Sequence, residues 1–548
     1  PERIDRAEAE YFREIERFRR EIISEGELQR AKSLLEKLHF DSMANFENEV
    51  ELLAGYQARF NDWKTFNARM DRLRAVTAQE VQQAAAKYLT LTATTVAEYE
   101  PRSATPRTFT TDKFAELLAT FAPAAVQAIN AADVKPALAL KTFSQGAERN
   151  QISEGQNVVI AAVPLPIRDY SVLRGSRAYV REDKSLPLIS ISVLFQGGRL
   201  VEEQTNSGAT ELMLRAMARS TTARKSDLIA LELESYGGQL RIVNEPDFFG
   251  FTLDVLSRNA ENAVKLLLEI VESPYFGKEE VVREKTILLA DQLNSRDDDQ
   301  ARADELLRAS LYPDHPYGLP RYGIAGAVKG MTEEKLEEWH NKTIKRQYPL
   351  LMIVGDTDGS SLVSRIFSEG LKRGDLDKAL KVNLPPLAGS GQEKTEQRNR
   401  ALATQTLGFR LGAATPPQQA NQADDFFTLT MLATLASSGK LNEKQRTELG
   451  LVSSLTIKHL PGLASSGFNV QFATSPENEA KARETLQAEL QKLAALPADD
   501  DFEAGRNATI GRYAIALQSH PARALEYSRA VIFGRKASDI ESQPDSIR

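Results

Sequence analysis

The chain has 548 residues, a length that predicts three or four domains at roughly 150 residues each. Its 69 basic and 76 acidic side chains leave a formal charge of −7, which argues against nucleic-acid binding because that function needs a basic surface. The lack of cysteine excludes disulfides, thiolate zinc sites, iron–sulfur clusters and cysteine nucleophiles, and no apolar stretch approaches the roughly 18 residues of a membrane-spanning helix.

The first block, residues 1–100, is predicted to contain helices followed by one strand. Apolar residues recur there at the spacing of amphipathic helices. Thr77 is placed to cap a helix, and Glu80 follows it three residues later, which is the pattern of a capping box. The alternating segment 94–99 indicates a strand.

Four further segments follow the first block. Residues 101–165 are rich in Ala, Pro and Thr and are predicted to be an interdomain linker. Residues 166–385 are predicted to form a second domain of strands and helices, 386–404 a second linker, and 405–548 a last domain. Within the second domain, the hydrophobic pattern predicts strands at 188–195, 239–243, 248–253 and 350–354, and helices at 259–272 and 278–294.

An internal repeat relates the two ends of the chain. Pro1-Glu2 is similar to Pro476-Glu477, and Asp71-Arg72-Leu73-Arg74 is similar to Asp545-Ser546-Ile547-Arg548, with offsets of 475 and 474. A repeat this long predicts related domains in an array. The chain is therefore expected to begin within one domain and to stop inside a similar one.

The most informative segment is 208–221, which follows a strand ending in Gly197-Gly198 and an acidic turn at Glu202-Glu203. At these residues the sequence resembles the insulinase/pitrilysin family of inverzincin zinc metallopeptidases. The other motifs that carry the resemblance lie in the family's order: 181–188, Tyr236-Gly237-Gly238-Gln239-Leu240, Ser273-Pro274-Tyr275-Phe276, His315-Pro316-Tyr317-Gly318, Ile353-Val354-Gly355-Asp356, and Leu441 with 446–451.

The resemblance implies an α+β fold of repeated domains, each a mostly antiparallel sheet packed against helices. In this family two halves close like a clam shell around a chamber, and one half carries zinc. Residues 1–100 would then be the C-terminal part of a first-half peptidase-like domain. Residues 166–385 would be a degenerate, inactive peptidase-like domain, and 405–548 a truncated C-terminal peptidase-like domain.

The zinc site of the family is the feature from which this sequence departs. The family's zinc helix carries H-x-x-E-H, in which two His bind the metal and Glu deprotonates the bound water. The corresponding residues here are Glu211, Leu214 and Arg215, and the third ligand would fall near Asp291. Because Arg cannot bind zinc and Leu cannot act as a base, we expect no metal ligand and no catalytic residue in this chain. Glu211 and Arg215 are predicted to form an i, i+4 ion pair.

One residue is a candidate for substrate binding. In the family, the half without zinc often contributes an Arg and, seven residues later, a Tyr that reach the bound peptide. Arg446 occupies the first position, but the second is Ser453. The alternative is that Arg446 lies on a helix surface and pairs with Glu443 or Glu448.

Three other motifs have structural explanations. Arg296-Asp297-Asp298-Asp299 lacks the Gly and the distal Glu of a calcium loop, so a solvated turn is expected. His315 is expected to be packed rather than a ligand, and Phe248-Phe249 is expected to lie in the core.

The resemblance implies the non-catalytic, substrate-enclosing half of a zinc metalloendopeptidase, inactive alone and with zinc bound outside this chain. Its expected partners are extended peptides and a zinc-bearing N-terminal half or partner subunit, with no nucleic acid and no membrane span. Two alternatives stay open, namely a pseudo-enzyme subunit that partners a separate zinc subunit, and a structural component like the core subunits of respiratory complexes. The lack of cysteine and the usual location of the family's members favour a periplasmic location.

Overall fold

The structure is a computed structural model that describes residues 2–66, 68–90, 94–95, 165–171, 177–370, 393–411, 421–438, 440–492 and 499–541. Most of the predicted linker 101–165 and of the predicted strand 94–99 lies outside these ranges. The chain divides into two compact units, one formed mainly by residues 1–149 and the other mainly by residues 150–548. None of the described helices has the length and apolar character that crossing a membrane requires.

The first unit is helical throughout most of its described residues. Its helices are α1 (Glu2–Arg20), α2 (Glu25–Met43), α3 (Phe46–Phe60), α4 (Arg69–Ala75) and α5 (Ala78–Tyr88), with a 3₁₀ turn at Trp63–Phe66 between α3 and α4.

The predicted capping box begins helix α5. The Thr77 hydroxyl accepts a hydrogen bond from the Glu80 amide at 3.2 Å, and the Glu80 carboxylate accepts one from the Thr77 amide at 2.8 Å. These bonds satisfy amide groups that a helix start otherwise leaves unpaired. Helix α5 packs against α1, where the Gln82 amide nitrogen donates to the Arg19 carbonyl at 2.7 Å.

The second unit contains a six-stranded sheet. Its order is β1-β2-β6-β3-β5-β4, and all neighbouring pairs are antiparallel except β2 with β6. The four predicted strands are confirmed, and Phe248 and Phe249 are fully buried as expected. The strands are β1 (Ile167–Ser171), β2 (Arg177–Glu182), β3 (Leu188–Gln196), β4 (Gln239–Asn244), β5 (Phe248–Leu256) and β6 (Leu350–Gly355).

Helices cover both faces of this sheet. Alternate side chains along a strand point to opposite faces, and along the central strands both sets of side chains are buried. Met352 and Val354 of β6 pack in one cluster, and the alternating residues Leu351 and Ile353 point to the opposite face and are equally buried. The helices that follow β3 in the chain are α6 (Ala209–Met217), α7 (Ser226–Ser235), α8 (Ala260–Glu272), α9 (Lys278–Asp297), α10 (Asp299–Leu311), α11 (Ala325–Lys329), α12 (Glu333–Thr343) and α13 (Gly359–Glu369). Helices α8 and α9 confirm the two predicted ones.

A second, antiparallel sheet in the same unit has the order β7-β9-β8. Its strands are β7 (Ala403–Arg410), β8 (Ser454–Leu460) and β9 (Gly467–Thr474). The accompanying helices are α14 (Asn421–Ser438), α15 (Lys440–Glu443), α16 (Glu479–Lys492), α17 (Asp499–Ala516) and α18 (His520–Ile532). Two mostly antiparallel sheets packed with helices confirm the predicted α+β class.

The helices also show the internal repeat. Helix α2 begins at Glu25 and α17 at Asp499, whereas α3 begins at Phe46 and α18 at His520, so both pairs are 474 residues apart. The offset of 474 residues, found between a few similar residues of the sequence, therefore also relates the consecutive helices α2 and α3 to α17 and α18. The predicted domain boundaries stay predictions, because 371–392 and most of 101–165 are outside the described residues.

Candidate functional site

Helix α6 carries the positions that correspond to the family's zinc helix. The buried Glu202 carboxylate lies at its start and accepts hydrogen bonds from the amides of Gly208 and Thr210, both at 2.9 Å. Burial raises the pKa of Glu202, and these backbone donors oppose that rise. An acidic side chain at this end stabilises the helix because the first amide groups point outward there. Glu202 therefore holds the start of α6 in place.

Two glycines bring a loop against the start of α6. Gly208 and Gly323 both have positive φ angles, of 96° and 80°. A Cβ atom on Gly323 would lie 2.5 Å from the Gly208 Cα, so the two backbones approach too closely for side chains. Gln292 of α9 fixes the same loop by donating to the carbonyls of Tyr322 at 2.8 Å and Gly323 at 3.0 Å. These contacts hold α6 and α9 side by side.

Between α6 and α9, Arg215 joins two carboxylates. Its Nε donates to Glu211 Oε1 at 2.8 Å, and its Nη1 donates to Asp291 Oδ2 at 2.7 Å. The other oxygen of Glu211 accepts a hydrogen bond from Asn244 of β4 at 2.9 Å. The predicted Glu211–Arg215 ion pair is confirmed. Sequence reasoning singled out Asp291 as the one possible ligand in its segment but missed its pairing with Arg215.

The electrostatics of this cluster favour a permanently charged arginine. Burial by itself would lower the pKa of Arg215, but the hydrogen bonds and charges of Glu211 and Asp291 outweigh it and raise the pKa above its ordinary value. The ring of Tyr322 lies 5.9 Å from the guanidinium carbon and covers it. We call Arg215, Glu211 and Asp291 the arginine cluster.

The arginine cluster does not fit zinc. A guanidinium has no lone pair to donate to a metal, and its positive charge lies where a cation would have to bind. Leu214, which corresponds to the family's general base, is fully buried and has no group that could take up a proton. Within the described part of the chain, no group of three or more His, Asp or Glu side chains is arranged to hold a metal ion.

Arg446 lies in a short π-helical turn, Lys444–Glu448, that leads into β8. Residues 446–450 are all exposed. Buried Gln445 anchors the turn, because its carbonyl accepts a hydrogen bond from the Leu451 amide at 3.0 Å. Gly450 has a φ of 59° and open space around it, which lets the chain reverse there. The turn therefore presents Arg446 away from the core.

No ion pair joins Arg446 to a described residue, Glu443 and Glu448 included. The surface pairing considered as an alternative is thus not formed. Ser453, at the position of the family's Tyr, is tied to the sheet, since its amide donates to the Ala473 carbonyl at 2.8 Å. The substrate-binding role of Arg446 stays a prediction.

A cleft of about 1110 Å³ runs along strand β7. Its walls are β7 itself, helix α10, the start of α16 and the segment 393–402. Among the described strands β7 is at the edge of its sheet, with β9 on one side only. An edge strand beside an open cleft offers unpaired backbone groups to an extended ligand.

Family comparisons match this arrangement. Residues 178–324 match the model described as insulinase (peptidase family M16), and residues 330–509 match the model described as peptidase M16 inactive domain. The chain belongs to the insulinase family. Its zinc-helix positions lie inside the first match, and Arg446 lies inside the second.

Two curated relatives and one solved structure illustrate the range of this insulinase family. An uncharacterized zinc protease of Rickettsia felis is 23% identical over 308 residues, which cover 56% of this chain and 73% of the relative. Cytochrome b-c1 complex subunit 1 of Caenorhabditis elegans is 22% identical over 290 residues, or 51% of this chain and 60% of that protein. The crystal structure of a protease from Helicobacter pylori has a TM-score of 0.63 at 16% identity, covers 70% of this chain and 92% of that chain, and shows the shared fold.

Two further motifs singled out in the sequence are structural in this chain. His315 is buried, accepts a hydrogen bond from the Tyr317 amide at 3.1 Å, and meets the Tyr317 ring edge to face with the ring centroids 4.7 Å apart, so it is packed as predicted. Burial lowers the pKa of His315, which favours the neutral ring. Asp298 caps α10 by accepting from the Ala301 amide at 2.7 Å, and the Asp297 side chain is solvated. The acidic run is therefore a solvated turn, as expected.

Sequence reasoning missed a pair, buried Asp247 and partly buried Tyr317, that links the two sheets of the second unit. The Tyr317 hydroxyl donates to the Asp247 carboxylate and accepts a hydrogen bond from the Ala464 amide at 3.1 Å. Burial raises the pKa of Asp247 to about 6, although its hydrogen bond with Tyr317 opposes that rise. The only sequence signal was Tyr317 within the His315-Pro316-Tyr317-Gly318 motif, because a contact across 70 residues leaves no local pattern.

Proposed function

We propose that this chain is the non-catalytic, substrate-enclosing half of a zinc metalloendopeptidase that hydrolyses peptides in a closed chamber. The arginine cluster carries this proposal. Arg215 stands at a ligand position of the family and neutralises the carboxylates of Glu211 and Asp291. Because the fixed guanidinium already neutralises these carboxylates, the site has no excess negative charge left to bind a divalent cation. Zinc and the general base would therefore come from a zinc-bearing half.

The chain's own contribution would be to bind and enclose peptide. An extended peptide can add a strand to an open sheet edge, so that backbone hydrogen bonds supply affinity for many sequences. The cleft along β7 supports this role, since it is bordered by an edge strand. Arg446 supports it as well, because it is an exposed cation without an ion-pair partner among the described residues.

Metal analysis and peptide hydrolysis test the proposal together. After dialysis the chain should hold far less than one zinc per molecule, and a quenched fluorescent peptide should stay intact with the chain alone. Hydrolysis should appear when the zinc-bearing half is added, and a chelator should abolish it. Stoichiometric zinc that is lost in Glu211→Ala would refute the proposal, as would chelator-sensitive hydrolysis by the chain alone.

A second candidate function is that of a pseudo-enzyme subunit or a structural component of a larger assembly. The similarity to cytochrome b-c1 complex subunit 1 favours it, because that relative is named as part of a complex. Mass spectrometry of the native protein separates the candidates. One polypeptide that also contains H-x-x-E-H indicates the peptidase half, whereas a separate zinc-bearing chain in the same particle indicates the subunit role.

The proposed location is the periplasm, on the basis of a sequence without cysteine. Osmotic-shock fractionation of the source cells tests it, with a cytoplasmic dehydrogenase as the control. Recovery of the protein with the dehydrogenase would contradict it.

A further inference from the structure

Three arginines of the second unit have no partner for their charge. Arg199 follows the end of β3, Arg308 lies on helix α10, and Arg321 follows the 3₁₀ turn Pro316–Gly318. Within the part of the chain that the structure describes, none of the three side chains forms an ion pair or a hydrogen bond. We call Arg199, Arg308 and Arg321 the unpaired arginine triad.

Packing of three elements brings the triad together. The 3₁₀ turn Gly198–Val201, which contains Arg199, packs against the turn Pro316–Gly318, and helix α10 packs against that same turn. The charge of Arg321 acts on both Arg199 and Arg308, and the charge of Arg308 acts on Arg199. The three guanidinium groups therefore form one electrostatic cluster.

The protein by itself does not compensate the charge of the triad. The Nε atoms of Arg199 and Arg308 are buried and have no hydrogen-bond partner. Burial and the charge of Arg308 lower the pKa of Arg199 to about 10, and burial also lowers the pKa of Arg308. Arg215 is the contrast, because its two carboxylates raise its pKa in spite of burial. Buried donors without partners and clustered like charges are unfavourable unless an anion binds among them.

The carboxylates that influence the triad are engaged by other groups. Glu202 accepts its hydrogen bonds from backbone amides at the start of α6. Asp247 accepts one from the Tyr317 hydroxyl. Glu305 pairs with Arg302, the two charged groups lying 2.9 Å apart. The remaining two also have other neighbours, namely Gln471 at 3.3 Å from Asp304 and Arg529 at 3.9 Å from Glu245.

The triad adjoins the zinc-helix positions of the family. The ring of Tyr322 lies 5.9 Å from the guanidinium carbon of Arg215 and 5.4 Å from that of Arg321. Arg321 is exposed, whereas Arg199 and Arg308 are partly buried. A ligand can therefore reach the triad from solvent and contact donors that are shielded from water.

We propose that Arg199, Arg308 and Arg321 bind a carboxylate group of the enclosed peptide, either its C-terminus or an Asp or Glu side chain. A guanidinium can hold a carboxylate through two parallel N–H···O bonds, and such bonds strengthen where water is partly excluded. The formal charge of −7 on the chain disfavours a polyanion as the ligand. The inference rests on the proposed function, and it gives the enclosing half a preference for peptides with a negative group.

Isothermal titration calorimetry of the full chain tests the site with three short N-acetylated peptides of Ala, Ser and Thr. The first is amidated and uncharged, the second is amidated and contains a single Glu, and the third has a free C-terminal carboxylate. We expect a carboxylate peptide to bind about 10-fold or more tightly than the uncharged one, since it gains charge-assisted hydrogen bonds. The peptide that binds more tightly identifies the source of the carboxylate.

Variants of the triad show whether these arginines cause the preference. Arg321→Gln removes the exposed cation and should reduce the preference about 5-fold or more without changing thermal melting. Arg199→Gln should have the same effect on binding, and Arg321→Gln decides the question if Arg199→Gln does not fold. The matched control is Arg283→Gln, an exposed arginine of α9 without an ion pair among the described residues, which should keep the full preference.

Each outcome supports or overturns the carboxylate site. A preference that is lost in Arg321→Gln and kept in Arg283→Gln supports it. Equal affinity for charged and uncharged peptides overturns it, as does a preference that survives in both variants. Inorganic phosphate that binds more tightly than either carboxylate peptide also overturns it, because the ligand would then be a free anion.

Hydrolysis of the uncharged peptide separates this inference from the proposed function, because that peptide does not need the triad. If the zinc-bearing half is added and the uncharged peptide stays intact, the proposed function fails by itself. If the uncharged peptide is hydrolysed but no carboxylate preference exists, only the carboxylate site fails.

Discussion

Helices α3 and α18 occupy equivalent places in a repeat, yet one is exposed and the other is buried. Val50 is 47% exposed, whereas its counterpart Ala524 is fully buried. The amphipathic pattern of each helix selects the face that avoids water. Whether that face is covered depends on a sheet contributed by a different part of the fold. A helix can thus carry the complete signal for packing without containing its partner.

The largest expected effect comes from placing a charge in the covered face. Ala524→Asp should lower the free energy of unfolding by about 4 kcal/mol or more, because it buries an unpaired carboxylate on the sheet. Val50→Asp, at the equivalent position of α3, should change it by no more than about 0.5 kcal/mol. Urea denaturation of the two variants measures both values. Similar losses of unfolding free energy in the two variants would show that α3 is already packed. That result would contradict the difference between α3 and α18.

The ionic part of the α18 contact gives the next largest effect. Burial alone would raise the pKa of Asp183, but the nearby His520 and the hydrogen bonds from Ser185 and Arg181 outweigh it and hold the pKa well below its ordinary value. Removing one partner of a buried ion pair costs about 3–5 kcal/mol. We therefore expect Asp183→Asn to destabilise the chain by about 3 kcal/mol at pH 7.

The effect of Asp183 should depend on pH in a definite direction. A carboxyl whose pKa is depressed by folding stabilises the protein above its unfolded pKa of about 3.9, and this stabilisation is lost as the pH falls further. The gap between the original chain and Asp183→Asn should thus shrink as the pH falls below about 4. Urea midpoints measured at each pH test this. A gap that stays constant or widens below that pH would contradict it.

A smaller effect is expected at the arginine cluster, which occupies the zinc-ligand positions of the family in the domain that α18 covers. Arg215→Met leaves Glu211 and Asp291 without their shared cation and should cost about 2 kcal/mol, less than a fully buried pair because Asp291 is partly exposed. Chemical denaturation provides the measurement. Glu211→Gln added to Arg215→Met should recover part of the loss, and no loss at all would mean that the cluster is only a surface contact.

The smallest effect on stability is expected for Arg446, which has no ion-pair partner in the described residues. Arg446→Ala should change the free energy of unfolding by less than about 0.5 kcal/mol. If Arg446 stabilises the charge that develops on the peptide carbonyl, kcat of the complete enzyme should fall on the order of 10²-fold. Steady-state kinetics and melting are measured on the same samples. Unchanged kcat would limit this chain to binding and enclosure.

The sequence by itself determined the features that depend on neighbouring residues or on short patterns. Thr77 and Glu80 lie three residues apart, so their capping box could be predicted, and Glu211 with Arg215 lie one helical turn apart, so their ion pair could be predicted. The strand that contains Phe248 could be predicted because its hydrophobic pattern is local. The family membership could be predicted because its motifs are short and lie in a fixed order.

Tertiary structure decided what depends on contacts between distant residues. The bond from Arg215 to Asp291 spans 76 residues, and the one from Arg523 to Asp183 spans 340. Packing of helices and strands sets both distances, and no local pattern encodes them. The same reason explains α3 and α18: the sequence repeats the apolar face, but only the presence of a sheet on α18 decides that the face is buried, because burial is a property of two surfaces.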